Sequence, residues 1–415
     1  MKNTSTRSGL GERIISFFGL SIGMIALILT LCLVIDSSFR MVYPFIPQIS
    51  EGLKLSISAF SWLLTIRSAS GLLSPVFGAL ADRYGRRKIM ILALLAQFFG
   101  LTGMAFTSGW GSALPMFLVG LATNAFLPAQ QAYISDQVPF ERRGRALASA
   151  DISFSLSGMV VMPLIGWLIN NWGWRVPFII LSALSLIALL LIWWKLPATE
   201  KRTSASQTKI SAWKILKRPN VLASVLVAIL LFSGVGVYMT FWSIWLSADF
   251  DLDAVGLGLI ATVMGAAEFS GVILAGLFID KVGKRRGSLI GLGAAAIALG
   301  LLPLFRGNLP VARGMLMILG LWVEISIIST FPLYGEQAPD ARAMIFSLVS
   351  LGNAIGLGIG PPLTAALWGW KGLAAVTSVG GLFLLLAFGV VWTFLRDHPP
   401  APSPVLGAAK KVGHE

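Results

Sequence analysis

Twelve apolar stretches, each close to the roughly 20 residues that cross a bilayer as an α-helix, follow one another along the chain. Their approximate limits are 16–46, 57–81, 88–108, 112–134, 144–169, 174–195, 219–247, 255–279, 287–305, 311–335, 342–367 and 372–395. Hydrophobic residues make up 56% of the chain and charged residues 12%, where a soluble domain has about 25% charged residues. The sequence therefore predicts an all-α membrane protein with 12 transmembrane helices.

Three further features narrow the class of protein. Cys32 is the only cysteine, which excludes a disulfide-stabilised scaffold. The first stretch is too long for a secretory signal and no small-residue cleavage site follows it, so we expect it to remain as a span. The net charge of +14 comes from Lys and Arg in short loops rather than on one soluble face, so no nucleic-acid partner is expected.

The positions of the 32 Lys and Arg residues orient the spans. Of these, 25 lie in the two tails or in the loops after even-numbered spans, five lie in the opposite loops, and Arg40 and Arg67 lie inside spans. Because positive loops stay in the cytoplasm, this asymmetry predicts a multi-pass protein of the cell (inner or plasma) membrane with both termini cytoplasmic. The opposite side is called the outer side below.

The longest polar interval divides the chain into three parts. We expect an N-terminal six-helix bundle over residues 1–198, a cytoplasmic linker over 199–218 and a C-terminal six-helix bundle over 219–415. Ile210, Trp213 and Leu216 are spaced three apart beside basic residues, which fits a short helix lying on the membrane surface. An extended basic linker fits the same composition, so both alternatives remain.

The two halves repeat one another at an offset of 196 to 200 residues. The matching segments are 78–87 with 276–286, 136–139 with 336–339, Gly158 and Pro163 with Gly356 and Pro361, and 172–174 with 368–370. Four matches in the same order predict a duplicated six-helix unit. Two such bundles related by a pseudo-twofold axis along the membrane normal are typical of transporters, with the substrate site between them near the midplane.

With these motifs the chain resembles the major facilitator superfamily, from Asp36 to about Leu395. The most specific motif is G-x-x-x-D-R-x-G-R-R over residues 78–87, and Pro44-x-x-Pro47 resembles the subset that contains drug:proton antiporters. In span 5, Met162 stands where the family's antiporter motif has a glycine before Pro163. The resemblance implies a central cavity lined by spans 1, 4, 7 and 10.

The resemblance also implies that the loop motif forms a cytoplasmic gate that joins the halves in the outward-facing state. The alternative is that its arginines serve only to orient the spans. Asp151, inside span 5, is expected to support this gate or helix packing rather than to bind substrate. The gate residues predicted in this way are Gly78, Asp82, Arg83, Gly85, Arg86, Arg87, Asp280, Gly283, Arg285 and Asp151.

Ionisable side chains inside the spans are candidates for function, because each costs roughly 2.5–3.5 kcal/mol at the bilayer centre. Asp36 and Arg40 are one helical turn apart, so they could pair within span 1, and Arg67 could instead neutralise Asp36 or Asp151. Glu324 has no basic neighbour in its own span, which favours a proton site. The predicted proton and substrate cavity comprises Asp36, Arg40, Arg67, Glu268, Glu324, Asn124, Trp242 and Trp322.

The balance of buried charge suggests the kind of substrate. Four buried acids against two buried bases favour protons or cationic, amphipathic molecules over anions. Trp242 and Trp322 could provide aromatic walls for a cation, although packing explains Trp242 equally well. Asn124 could add a polar contact.

Together these features predict a secondary transporter of a small organic molecule that works by alternating access, with proton-coupled efflux as the first hypothesis. A proton symporter or an uncoupled facilitator for a nutrient is the alternative. The motif G-x-x-x-x-G-K-[ST] does not occur, so an ATP-driven pump is excluded, and no enzyme activity, cofactor or metal is expected. The expected partners are a small-molecule substrate, protons and the lipid bilayer, and we expect a monomer.

Overall fold

The computed structural model describes residues 20–138, 142, 152–196 and 215–397. Across these segments the chain is helical apart from short turns, and eleven helices are long and apolar enough to cross a membrane. The last of these, Arg342–Phe394, is two spans in one, because Lys371 and Gly372 leave helical geometry and Gly372 takes a φ of 61°. The described residues therefore form twelve membrane helices, and the predicted all-α fold is confirmed.

The helices are numbered α1 to α12 in chain order. The N-terminal half contains α1 (Ile22–Arg40), α2 (Ile57–Tyr84), α3 (Arg86–Phe106), α4 (Ala113–Gln137), α5 (Ile152–Trp172) and α6 (Arg175–Lys195). The C-terminal half contains α7 (Pro219–Phe250), α8 (Ala254–Val282), α9 (Lys284–Leu301), α10 (Leu309–Gln337), α11 (342–370) and α12 (373–394). The predicted linker lies outside the described residues as far as residue 214.

The first predicted span extends beyond the observed C-terminal end of its helix. Instead of one helix to residue 46, α1 ends at Arg40, turns follow, and a separate short helix covers Ile46–Gly52. Pro44 and Pro47 explain this break, because proline has no N–H to donate to the carbonyl one turn earlier. The break places the end of α1, with Arg40, inside the membrane rather than at its surface.

The sequence repeat has a counterpart in backbone geometry. Gly85, between α2 and α3, has a φ of 98°, and Gly283, between α8 and α9, has a φ of 93°. Both values lie in the region that glycine adopts without strain, so each half reverses direction at the same point of the motif. The pair of six-helix bundles predicted from the repeat is the architecture observed.

The two halves meet on the outer side and at mid-membrane. Between α5 and α8, a Cβ built at Gly166 would lie 2.3 Å from the Ala254 carbonyl oxygen. Between the turn that follows α1 and helix α7, Ser243 Oγ donates to the Tyr43 carbonyl at 2.6 Å. This conformation is therefore closed on the outer side.

Glycines on α11 allow it to contact α7 through the backbone. A Cβ built at Gly356 would lie 2.5 Å from the Ile229 carbonyl oxygen, and one at Gly360 would lie 2.6 Å from Cα of Gly236. Small residues at this spacing let membrane helices approach closely. These glycines therefore serve helix packing inside the C-terminal half.

Candidate functional site

An ion pair in the middle of the membrane joins the two halves. Arg40, the last residue of α1, and Glu268, in the middle of α8, lie 2.7 Å apart between Nη1 and Oε2. Their side chains are 5% and 6% exposed. Because charges lose their hydration when buried, removing either partner would leave the other charge buried without compensation.

Helix α5 shapes the space around the Arg40 guanidinium. The Phe154 ring lies 4.8 Å from its Cζ, in a cation–π arrangement. Gly158 lies in a π-helical turn, Ser157–Val161, and a Cβ there would be 2.9 Å from the same Cζ. In the sequence, Gly158 stands out only as a repeat position, equivalent to Gly356. A glycine followed five residues later by Pro163 inside a span was the signal that could have marked this distortion.

The structure corrects the suggested pairing of Asp36 with Arg40. Arg40 extends across to Glu268, and the Asp36 carboxylate accepts a hydrogen bond from Ser153 Oγ on α5. Residues one turn apart can meet only along the helix surface, whereas Arg40 at the end of α1 can reach the opposite half. Asp36 thus connects helices within the N-terminal half, and Asp151 lies outside the described residues.

Arg67 on α2 supports the broken end of α1. Its Nη1 donates to the Phe39 carbonyl at 2.9 Å, and its Cζ lies 4.4 Å and 4.9 Å from the rings of Phe39 and Tyr43. That carbonyl needs a donor because the Tyr43 N–H turns back to the Arg40 carbonyl instead. In the described residues Arg67 makes no ion pair, so the structure does not show the suggested neutralisation of Asp36.

Two more polar residues extend the ion pair into a cluster. Tyr238 of α7 has its hydroxyl against Gly320 of α10, where a Cβ would be 2.8 Å away. Glu324 of α10 packs against Gly271 of α8, and its charge acts on both Arg40 and Tyr238. Glu324 is partly exposed. Sequence spacing within α10 could not indicate this cation, since Arg40 comes from the other half.

We call Arg40, Tyr238, Glu268 and Glu324 the central cluster. It contains two carboxylates and one guanidinium, so it has one negative charge in excess when all three are ionised. A narrow cleft adjoins it on the outer side. The cleft is lined by Arg40, Tyr43, Pro44, Tyr238, Met239, Trp242, Ala261, Met264 and Glu268.

The other predicted cavity residues lie in different surroundings. Trp242 is 3% exposed and lines the cleft, so it lies with the central cluster as expected. Asn124 of α4 donates to Ser70 Oγ at 3.1 Å, which ties α4 to the 3₁₀ turn of α2. Trp322 is partly buried against the apolar core. The predicted cavity residues therefore do not form one group: Trp242 lies at the central cluster, whereas Asn124 and Trp322 lie elsewhere.

The predicted gate residues contact partners within their own half. Asp82 pairs with Arg86, and Arg86 Nε lies 3.4 Å from Asp136 Oδ2 at the end of α4. Arg87 donates to the Trp193 carbonyl of α6, while Arg83 lies over the ring of its neighbour Tyr84. In this conformation the described gate residues therefore stabilise each bundle, and a latch between halves in the opposite state stays a prediction.

The C-terminal half repeats these contacts. Lys284 pairs with Glu336 at the end of α10, as Arg86 does with Asp136. Arg285 donates to the Trp392 carbonyl at 2.6 Å, as Arg87 does to Trp193. The repeat of 136–139 in 336–339 does not by itself identify the partners of these residues. Gly78 faces open space, and the side chain of Asp280 lies outside the description.

The chain is similar in sequence to a known protein family and to members of it. The family model described as Major Facilitator Superfamily matches residues 26–245 and 225–413. The "Multi-drug resistance efflux pump PmrA homolog" of Lactococcus lactis is 26% identical over 381 residues, 88% of this chain and 92% of that protein. "Multidrug resistance protein MdtG" of Yersinia enterocolitica is 27% identical over 376 residues, 85% and 89% of the two chains.

The chain is also similar to a further sequence relative and to a solved structure. The "Putative niacin/nicotinamide transporter NiaP" of Bacillus subtilis is 29% identical over 244 residues, 59% of this chain and 64% of that protein. A solved structure titled as a bacterial homolog to human lysosomal transporter Spinster, inward-facing and unoccupied, superimposes with a TM-score of 0.70. It has 18% sequence identity and covers 91% of this chain and 98% of its own. This last likeness concerns the fold alone.

Proposed function

Because the chain belongs to the major facilitator superfamily, we propose that it exports small amphipathic organic molecules in exchange for protons by alternating access. Family membership makes it a multi-pass membrane transporter and not an enzyme. Export is supported by two relatives whose names describe multidrug efflux or resistance. The observation that carries proton coupling is the buried Arg40–Glu268 pair between the halves.

The pair supports coupling because its strength depends on the arrangement of the halves. Helices α1 and α8 belong to different bundles, so separating the halves at this level separates the two charges. A proton on Glu268 removes the Coulomb attraction and lowers the cost of that separation. Protonation therefore shifts the population toward a conformation in which Arg40 and Glu268 are apart.

The second carboxylate of the central cluster supports exchange with a cation. Glu324 is partly exposed, which keeps it within reach of water or substrate while Glu268 is paired with Arg40. Either a proton or a cationic group can bind a carboxylate at this place. Tyr238 and Trp242 provide aromatic surface beside it, which favours an organic cation. Competition between proton and substrate for the same charge gives antiport.

Symport or facilitation of a nutrient is the second candidate. It is favoured by the 29% identity to a protein named as a niacin/nicotinamide transporter, comparable with the identity to the efflux relatives. We also propose that the protein is a monomer in the cell membrane with both termini in the cytoplasm. The orientation is supported by the distribution of 25 basic residues on one side against five on the other.

The direction of proton movement distinguishes these candidates. The purified protein is reconstituted into liposomes that enclose a pH-sensitive dye, with the membrane potential clamped by potassium and valinomycin. The lipophilic cation ethidium is added outside, and its uptake and the internal pH are followed together. Antiport alkalinises the interior as ethidium enters, whichever way the protein is oriented. Acidification would establish symport, and uptake without a pH change would establish facilitation.

A matched control variant separates coupling from stability in this assay. Glu51→Gln makes the same chemical change on an exposed carboxylate of the outer side. We expect it to leave uptake and proton movement unchanged. Equal defects in Glu51→Gln and Glu268→Gln would contradict a specific role for the buried pair.

A further inference from the structure

A second cavity lies between α2 and α11, separate from the central cluster. Its volume is about 500 Å³. It is lined by Trp62, Thr65, Ala69 and Leu72 of α2, and on α11 by Ile355, Ile359 and neighbouring residues. Thr65 carries the one hydroxyl group in this lining, and it donates to the Gly358 carbonyl at 2.7 Å. We call this cavity the α2–α11 groove.

The groove opens toward the hydrocarbon of the bilayer. On α2, Phe60, Leu63, Leu64 and Arg67 are buried inside the protein, whereas Trp62 is 52% exposed and Leu72 48% exposed. On α11, Ile355 and Ile359 are 42% and 39% exposed. The lining comes from α2 and α11 and contains no residue of the central cluster, so we infer that this exposed face of α2 points toward lipid.

The dimensions of the groove match one leaflet. Trp62 lies five residues after the outer end of α2, and Leu72 lies ten residues further along the same helix. At 1.5 Å per residue the lining spans about 15 Å, half of the roughly 30 Å hydrocarbon core. A molecule that enters the groove from the outer side would therefore extend along the helices for about the depth of one leaflet.

Local structure makes this face concave. Helix α2 tightens into a 3₁₀ turn at Ser70–Leu73, and the lining includes the small residues Ala69 and Gly358 as well as the larger Trp62 and Leu72. Most lipid-facing surfaces of a helix bundle are convex. A concave, apolar surface of this length forms many contacts with a single hydrocarbon chain, and dispersion attraction grows with the number of contacts.

We propose that the α2–α11 groove binds one acyl chain of a phospholipid from the outer leaflet. The lining contains no charged side chain, so recognition depends on the chain rather than on the headgroup. One wall comes from each half, so the bound chain contacts both bundles at once. This proposal is independent of the transported substrate and of proton coupling.

Photo-cross-linking tests the site in the intact protein. The protein is placed in nanodiscs of phosphatidylcholine containing a trace of phosphatidylcholine with a diazirine on one acyl chain. After illumination, cross-linked peptides are identified by mass spectrometry. We expect the adducts to concentrate on peptides from α2 and α11 near Trp62 and Ile355. An even distribution over all lipid-facing helices would show ordinary annular lipid and overturn the proposal.

Two substitutions sharpen the test. Ala69→Trp fills the groove from an exposed position of α2, and Ile187→Trp adds the same indole to the lipid-facing surface of α6, where Ile187 is 51% exposed. We expect Ala69→Trp to lower the α2 and α11 adducts about tenfold, the effect of losing about 1.4 kcal/mol of binding. Ile187→Trp should leave these adducts unchanged. Equal yields in Ala69→Trp and wild type would refute the site.

The headgroup is examined with a second lipid. The same diazirine chain on phosphatidylglycerol should give the same adducts at the same yield. A strong preference for either headgroup would contradict recognition through the acyl chain. If Ala69→Trp fails to fold, the wild-type adduct map and the headgroup comparison still decide the proposal.

Discussion

Arg40 Nη1 and Glu268 Oε2 lie 2.7 Å apart at mid-membrane, one on the last residue of α1 and the other in the middle of α8. The two helices belong to opposite halves, and both side chains are almost fully buried. Phe154 and Gly158 of α5 hold the guanidinium in place. The contact therefore reports directly on how the halves are arranged.

The first prediction concerns the energetic coupling of this pair. Glu268→Gln leaves a buried guanidinium without its closest counterion, and removing one partner of a buried pair costs about 3–5 kcal/mol in soluble proteins. Glu324 also acts on Arg40, so we expect a loss toward the lower end of that range. The double variant Arg40→Gln with Glu268→Gln should recover part of the stability. Thermal unfolding of the four proteins in detergent gives the interaction energy, and strictly additive losses would contradict the pair.

The second prediction concerns the space for Arg40. In Gly158→Ala the new Cβ would be 2.9 Å from Cζ of Arg40, so the guanidinium must shift and the ion pair weakens. Overpacking of this kind costs about 1–3 kcal/mol. Gly300→Ala is the matched control, because no atom lies within 4 Å of a Cβ there. The melting temperature should fall in Gly158→Ala and stay level or rise in Gly300→Ala. Similar changes in both would mean that α5 does not position Arg40.

The third prediction concerns the support of the broken helix α1. Arg67→Lys keeps the positive charge but loses the planar stacking on Phe39 and Tyr43, where the cation–π contribution of a desolvated cation is about 2 kcal/mol. We therefore expect a lower melting temperature in Arg67→Lys. We also expect a slower exchange rate, since Tyr43 carries the contact to Ser243 of the other half. Wild-type behaviour of Arg67→Lys would show that charge alone is needed.

The fourth prediction concerns the pH dependence of an ion pair outside the membrane. Arg218, before α7, donates two hydrogen bonds to Asp340 at 2.7 and 2.8 Å, and these lower the pKa of the Asp340 carboxyl. A lowered pKa means that the pair is fully present above the ordinary aspartate value of about 3.9 and is lost only as the pH falls below it. The difference in melting temperature between wild type and Asp340→Asn should therefore be the same at pH 7 and pH 5. A difference that disappears by pH 5 would contradict the shift.

The sequence was sufficient to predict the spans and the duplication. Continuous apolar runs predict helices independently of their neighbours, and the positive φ of Gly85 and Gly283 follows from the same motif in both halves. The end of α1 at Arg40 was missed, although Pro44 and Pro47 mark it. A window that counts apolar residues continues through prolines, whereas a helix cannot keep its hydrogen bonds there.

The contacts of the candidate site depend on distances between helices that are remote in sequence. Asp36 and Arg40 are neighbours along α1. Glu268 is remote from Arg40 in sequence, and the packing of α8 against α5 brings the two into contact. Arg67 was expected near an acid, yet it caps a carbonyl that exists only because α1 breaks. Asp136 and Glu336 occupied equivalent repeat positions, and this equivalence was the available signal for their shared role as partners of Arg86 and Lys284.

The most direct test of proton coupling compares two transport modes in the same liposomes. Counterflow exchanges external labelled substrate for internal unlabelled substrate and needs no net proton movement, whereas net ethidium uptake requires it under the proposed mechanism. In Glu268→Gln, and separately in Glu324→Gln, we expect counterflow to persist while the internal pH change that accompanies net uptake disappears. If both variants, and Asp36→Asn as well, keep the wild-type pH change per ethidium moved, the central cluster does not couple protons to transport.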